Sequence, residues 1–188
     1  MAAESLPVPL DNNALYVSTI PLTNGFHYAL IHVDRNGTAT RHHWAAMTID
    51  PHGPEGYVAQ PMPRGPHMKA GQQQILAYFR VPEYRSTELS AFQDVCASVF
   101  PKSSSSALQN RAANMNSRTW ITRVLARVLG SPERAMEIEQ YVSAHSRVYS
   151  DGHACAFLFG RPYTTLVVPV ASCNSPQCSA CRTCSLSH

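Results

Sequence analysis

Hydrophobic and polar residues alternate along this chain in two distinct periods. The sharpest helical pattern runs from residue 117 to 129, where Trp120, Ile121, Val124, Leu125, Val128 and Leu129 form one apolar stripe and Arg118, Arg123 and Arg127 project elsewhere. Asn114 or Asn116 can cap its start, and Gly130 followed by Pro132 closes it. Ser117 then falls on the first turn, among unpaired backbone N–H groups at the positive end of the helix dipole. A second helix is expected from a Ser86-Thr87 cap to about Val99, with Leu89, Phe92, Val95, Cys96 and Val99 on one face and Cys96 a buried small hydrophobe. A third is expected from Ser131-Pro132-Glu133 to about Ser146, with proline at the first helical position.

Strand patterns precede these helices. Residues 14–20 read as a first strand, 21–25 as a turn, and 26–34 as the strongest strand in the chain. Arg35-Asn36-Gly37 is a hairpin signal leading into a partner strand over 38–50, so this pair should form a central hairpin. The proline- and glycine-rich stretch 51–71 reads as a long loop, and 74–81 returns to strand character. Residues 101–106 read as a polar loop, Asp151-Gly152 as a turn, and 154–159 and 163–170 as short extended runs. Together these predict an α+β fold, a small and mostly antiparallel sheet packed against helices. Residues 1–13 would be an extended arm, 14–170 one domain, and 171–188 a flexible cysteine-rich tail.

Composition narrows the function classes. A chain of 188 residues that is 44% hydrophobic and 14% charged can bury a core without staples. Its net charge of +3 comes with scattered arginines, which excludes a nucleic-acid surface as the leading reading. No secretion signal is visible at the N-terminus and no apolar run reaches the roughly 18 residues of a membrane span, so a soluble, cytoplasmic protein with free thiols is expected.

The candidate chemistry rests on His27 in the strong strand and Ser117 at the helix start. An acyl-transfer site of the papain kind needs a nucleophile at a helix N-terminus and an imidazole on a neighbouring strand. The runs His27-Tyr28-Ala29-Leu30-Ile31-His32-Val33 and Asn116-Ser117-Arg118-Thr119-Trp120-Ile121-Thr122-Arg123-Val124-Leu125 carry both parts in permuted order. Over residues 26–47 and 114–129 the chain resembles permuted papain-like proteins of the NlpC/P60 superfamily, above all the lecithin:retinol acyltransferase/H-Ras-like suppressor branch. The resemblance implies a permuted papain-like arrangement, acyl transfer or hydrolysis on an ester, thioester or amide of a small-molecule or acyl substrate, and no cofactor. It also implies His27 as the base and position 117 as the nucleophile. The pattern carries Cys at 117, where this chain has Ser. A Cys-to-Ser change, a natural serine enzyme and a homologue that only binds each account for that difference. The backbone N–H groups at this helix start, capped by Asn116 or Asn114, would hold the oxyanion.

Hairpin register selects the group that orients His27. A two-residue Asn36-Gly37 turn sets His27 opposite Ala46 and leaves His42 on the order of 13 Å away, at ~3.3 Å per residue. A three-residue loop with Gly37 left-handed sets His27 opposite Ala45 and makes His43 its diagonal neighbour, and this register is favoured.

Other sites are weaker. Cys173, Cys178, Cys181 and Cys184, with His188, have spacing that could wrap a zinc or other soft metal ion, giving the alternative of a metal-binding tail, but the run offers no apolar packing to enclose the ion. His42, His43, His52 and His67 fit no ligand spacing beyond the adjacent two. Asp151-Gly152-His153 lacks the sharp nucleophile turn of a serine hydrolase triad, and Cys155 reads as core.

Overall fold

The computed structural model describes residues 8–48, 50, 52–62, 74–100 and 102–171. Strands β1 (Ala14–Leu22), β2 (Gly25–Val33), β3 (Ala39–Ala46), β4 (Glu55–Pro61), β5 (Ala77–Arg80) and β6 (Leu166–Pro169) form one sheet in the order β4-β3-β2-β1-β5-β6. Every neighbouring pair is antiparallel except β5 and β6. The fold is therefore α+β with a mostly antiparallel sheet, and the β2–β3 hairpin lies in its interior as the residue pattern predicts.

Local chemistry sets the register of that hairpin. The Asp34 carboxylate accepts the N–H groups of Asn36 at 2.8 Å and Thr38 at 2.7 Å, while Asp34 N–H donates to the Thr38 carbonyl at 3.0 Å. This leaves a three-residue loop, and Gly37 takes the left-handed conformation at φ 76°, where a Cβ would be strained. Leu30 consequently pairs with His42 and Val33 with Ala39, the register that sets His43 diagonally across from His27.

Strand alternation divides the sheet into two faces. Leu15, Val17, Tyr28, Leu30, Trp44 and Phe79 point to the helix side, the main core. Ala14, Tyr16, Ile31, Val33 and Tyr78 point to the other, where Val8, Leu10, Met62 and Ile75 pack on them. The helices are α1 (Leu89–Ser98), α2 (Ala107–Ala112), α3 (Ser117–Leu129) and α4 (Pro132–Leu158). In α3 the apolar stripe delivers Trp120, Ile121, Val124 and Leu125 fully into the core, and Trp120 Nε1 donates to the Cys96 carbonyl at 3.2 Å. Gly130 ends the helix in the left-handed conformation, φ 68°.

Several expectations are corrected. The stretch read as a long loop contains β4, all seven residues of which pair with β3; its apolar alternation is short, interrupted by Gly56 and enclosed by prolines, so it carries little strand signal. Residues 63–71 lie outside the described residues. The partner strand ends at Ala46 rather than 50, where Met47 N–H turns back to the Pro54 carbonyl. Pro21, read as turn, belongs to β1 and pairs with Phe26; pairing with β5 stops at Thr19, so its missing N–H costs no bond on that side. Ser86 and Thr87 do not cap α1, which starts after Glu88 without a side-chain cap. A short helix, α2, follows the polar loop. Asp151-Gly152 is no turn, and 154–158 is not extended: α4 runs 27 residues through both. Its last turns are exposed, so they show no apolar stripe, and Gly152 sits in open space. Cys155 is exposed on this helix rather than core, whereas Cys96 is buried.

The tail cysteines 173, 178, 181 and 184, with His67, lie outside the described residues. Among the described residues no group of three or more His, Cys, Asp or Glu is placed to hold a metal ion, and no helix is long and apolar enough to cross a membrane.

Candidate active site

The β2–β3 ladder stops at Leu30–His42, although β2 starts five residues before Leu30 and β3 continues to Ala46. Below that point β2 stays on β1 and β3 stays on β4. The start of α3 occupies the split: the Tyr28 N–H donates to Ser117 Oγ at 3.3 Å. Bond lengths alone then keep Ser117 Oγ within about 7 Å of the His27 Cβ. No hydrogen bond joins Ser117 to His27 among the described residues.

Across the same split His27 Nε2 meets His43 Nδ1 at 2.9 Å, the rings edge to face with centroids 5.2 Å apart. Two tautomer arrangements satisfy this bond, with the proton on either partner. His27 is partly buried and His43 buried, and His43 Nε2 has no partner. Burial pushes His27 down to about 4, with the Arg41 guanidinium adding to the effect. Burial pushes His43 down to about 3, followed by the charges of Arg41, His27 and His42. Both rings are neutral at pH 7. His42 points to the helix side instead, where its Nδ1 meets the Tyr57 hydroxyl at 2.8 Å.

The helix start is built by the two asparagines. Asn116 is the cap: its backbone is extended and its side chain accepts Thr119 N–H at 2.9 Å. Asn114, left-handed at φ 56°, accepts from the Asn116 amide at 3.2 Å and the Thr119 hydroxyl at 3.1 Å, holding the cap in place. With Thr119 N–H bound to the cap and Trp120 N–H bound to the Asn116 carbonyl, the N–H groups of Ser117 and Arg118 are the donors this helix start leaves without an intrahelical acceptor. Beside it, Asn114, Asn116, Arg118, Thr119, Thr122 and Glu139 line a depression of about 370 Å³, and Arg118 Nε donates to Glu139 at 2.5 Å. Ser117 does not line this depression.

Of the candidate residues, His27 and His43 are in contact, Ser117 bonds the backbone of the residue after His27, and Asn116 and Asn114 build the helix start that carries Ser117. Sequence reasoning missed Arg41, which acts electrostatically on both imidazoles; its position two residues before His43 on the same strand, hence on the same face, was the available signal. It also missed the Tyr28 N–H, freed only because the ladder splits. Compared with protein-family models, with curated proteins and with solved structures, the chain matches none significantly.

Proposed function

We propose that this chain is a permuted papain-like acyl enzyme, a hydrolase or acyltransferase on an ester, thioester or amide, with a Cys-to-Ser change at its nucleophile position, Ser117. The observation that carries this reading is the 2.9 Å His27–His43 pair spanning the split into which the Ser117 helix start is inserted. With His43 as the Nε2–H tautomer, His27 donates its Nε2–H to His43 and keeps a lone pair on Nδ1. The nucleophile's proton passes from the hydroxyl, or from a thiol in its place, to that Nδ1 as the oxygen or sulfur bonds to the substrate carbonyl carbon. The carbonyl oxygen becomes an oxyanion facing the Ser117 and Arg118 N–H groups. Collapse breaks the bond to the leaving group, which takes the proton from His27, and water or an acyl acceptor completes the cycle in reverse order. Restoring the thiol with Ser117→Cys should give a mass increase of one acyl group on the intact protein with activated ester or thioester probes, and none with Ser117→Ala. If the thiol variant stays unacylated by ester, thioester and amide probes, the enzymatic reading fails.

One observation favours a second reading, a binding protein on the same scaffold. Ser117 Oγ is occupied as an acceptor by the Tyr28 N–H and has no bond to His27, as a structural serine would be. In that case Ser117→Cys leaves reactivity at the level of a free surface thiol.

A further inference from the structure

Arg41 and Arg134 are the partly buried arginines among the described residues, and the others are exposed. Arg111, Arg118 and Arg134 each reach a glutamate, and Arg80, on the same sheet face as Arg41, pairs with Asp11 at 3.2 Å. Arg41 has no ion pair among the described residues, and its Nε is buried without a hydrogen-bond partner. Burial lowers its affinity for the proton, the direction opposite to that of Arg118.

Register shows what surrounds it. Arg41 pairs with Ile31, Ala29 with Ser18, and Ser18 with Tyr78, so these residues and His43 share the face turned away from the helices. Ala29 is the small residue in the middle of that row. Around it Ser18 Oγ and His43 Nε2 are buried and unpartnered, and Tyr78 lies within electrostatic reach of Arg41. The titratable groups acting with Arg41 are Tyr78, His27 and His43, none of them anionic at pH 7. A guanidinium that no described carboxylate reaches, with a buried unpartnered Nε and with hydroxyl and imidazole groups near it that can donate, is complementary to an oxyanion.

We propose that Arg41, Ser18, Tyr78 and the Nε2 edge of His43 form a subsite for an anionic group, a carboxylate or a phosphate. The subsite shares His43 with the acyl-enzyme reading but does not depend on it: an inert serine at 117 leaves it intact. The test uses the full chain, titrated separately with inorganic phosphate and with succinate against sodium chloride of equal ionic strength, reading thermal midpoint and the His27 and His43 proton resonances. A saturable rise in midpoint with shifts at both histidines is expected for at least one anion, and the two arms tell phosphate from carboxylate. R41Q should weaken that binding at least tenfold and Y78F should weaken it less, while R80Q leaves it unchanged. Should R41Q fail to fold, R41K and S18A supply the same comparison, each expected to bind more weakly than the parent. Absence of saturable binding by either anion overturns the proposal, as does unchanged affinity in the Arg41 and Ser18 variants.

Discussion

Lowering the pH from 7 to 4 should destabilise this protein more steeply than surface carboxylates would, because its buried histidines resist protonation. An unfolded histidine binds a proton near 6.5, whereas His27 in the fold does so only at about 4 and His42 and His43 only at about 3. Their neutral forms are therefore fully stabilising above 6.5, and that stability is lost as pH falls through the window from 6.5 to about 4 and below. For His27 the interval of about 2.5 pH units corresponds to about 3 kcal/mol, at ~1.4 kcal/mol per unit, a large part of the ~5–15 kcal/mol that holds a domain folded. Within the window each of the three rings contributes up to ~1.4 kcal/mol per pH unit, so the slope approaches ~4 kcal/mol per unit. Replacing one of them, His43→Gln, keeps an acceptor for His27 and should lower the slope to about 3 kcal/mol per unit. Urea unfolding followed through Trp44 and Trp120, at half-unit steps from pH 7 to 4, measures this directly. A stability that is flat between 6.5 and 4.5, or a slope unchanged in His43→Gln, would show that the imidazoles are not held neutral by burial.

Three further substitutions probe the elements that build the site. Asn116→Ala removes the α3 cap and its bond to Thr119, and should cost about 1 kcal/mol in urea unfolding, with a similar loss in Asn114→Ala only if the second asparagine holds the first. Trp120→Ala empties a fully buried indole site and strands the Cys96 carbonyl, for a loss of about 3–5 kcal/mol seen as a drop in thermal midpoint. Phe157→Ser, at a side chain 79% exposed on the last turn of α4, should change stability by no more than ~0.5 kcal/mol by the same assay.

How far the sequence reveals this fold depends on where each signal resides. The α3 helix is legible because stripe, cap and left-handed glycine are all local and agree. The hairpin register is half legible: Asn36-Gly37 allows two loops, and Asp34, whose carboxylate collects two N–H groups, decides between them. The second half of α4 and the edge strand β4 are illegible for the same reason, that neither presents a clean apolar face. An exposed helix end needs no stripe, and β4 is held by seven pairings to β3 rather than by its own pattern. Of the site, His27, Ser117 and the two asparagines follow from motif and helix geometry. Arg41 does not, because its significance lies in an unmet partner, and only the packed sheet shows that none of the described carboxylates reaches it.

Electrostatics connects the serine at 117 to that unmet arginine. A general base works best with its proton affinity near the ambient pH, and His27 at about 4 falls about 3 units short, on the order of 4 kcal/mol of driving force for taking a proton. Two features of the site set this condition: burial, and a positive Arg41 that no negative charge near His27 balances among the described residues. A thiolate at 117 would supply one such charge and an anion on Arg41 another, and each favours the imidazolium. Ser117→Cys and saturating anion should therefore both raise the His27 titration midpoint seen by NMR, and together raise it further than either alone. If the thiol variant leaves the midpoint at about 4, no thiolate–imidazolium pair forms at the site and the resting nucleophile is the neutral thiol. If the anion raises the midpoint while the thiol does not, the two histidines belong to the subsite around Arg41 rather than to a catalytic centre. The base strength of His27 is thus the quantity on which the catalytic and the binding readings of this split sheet part.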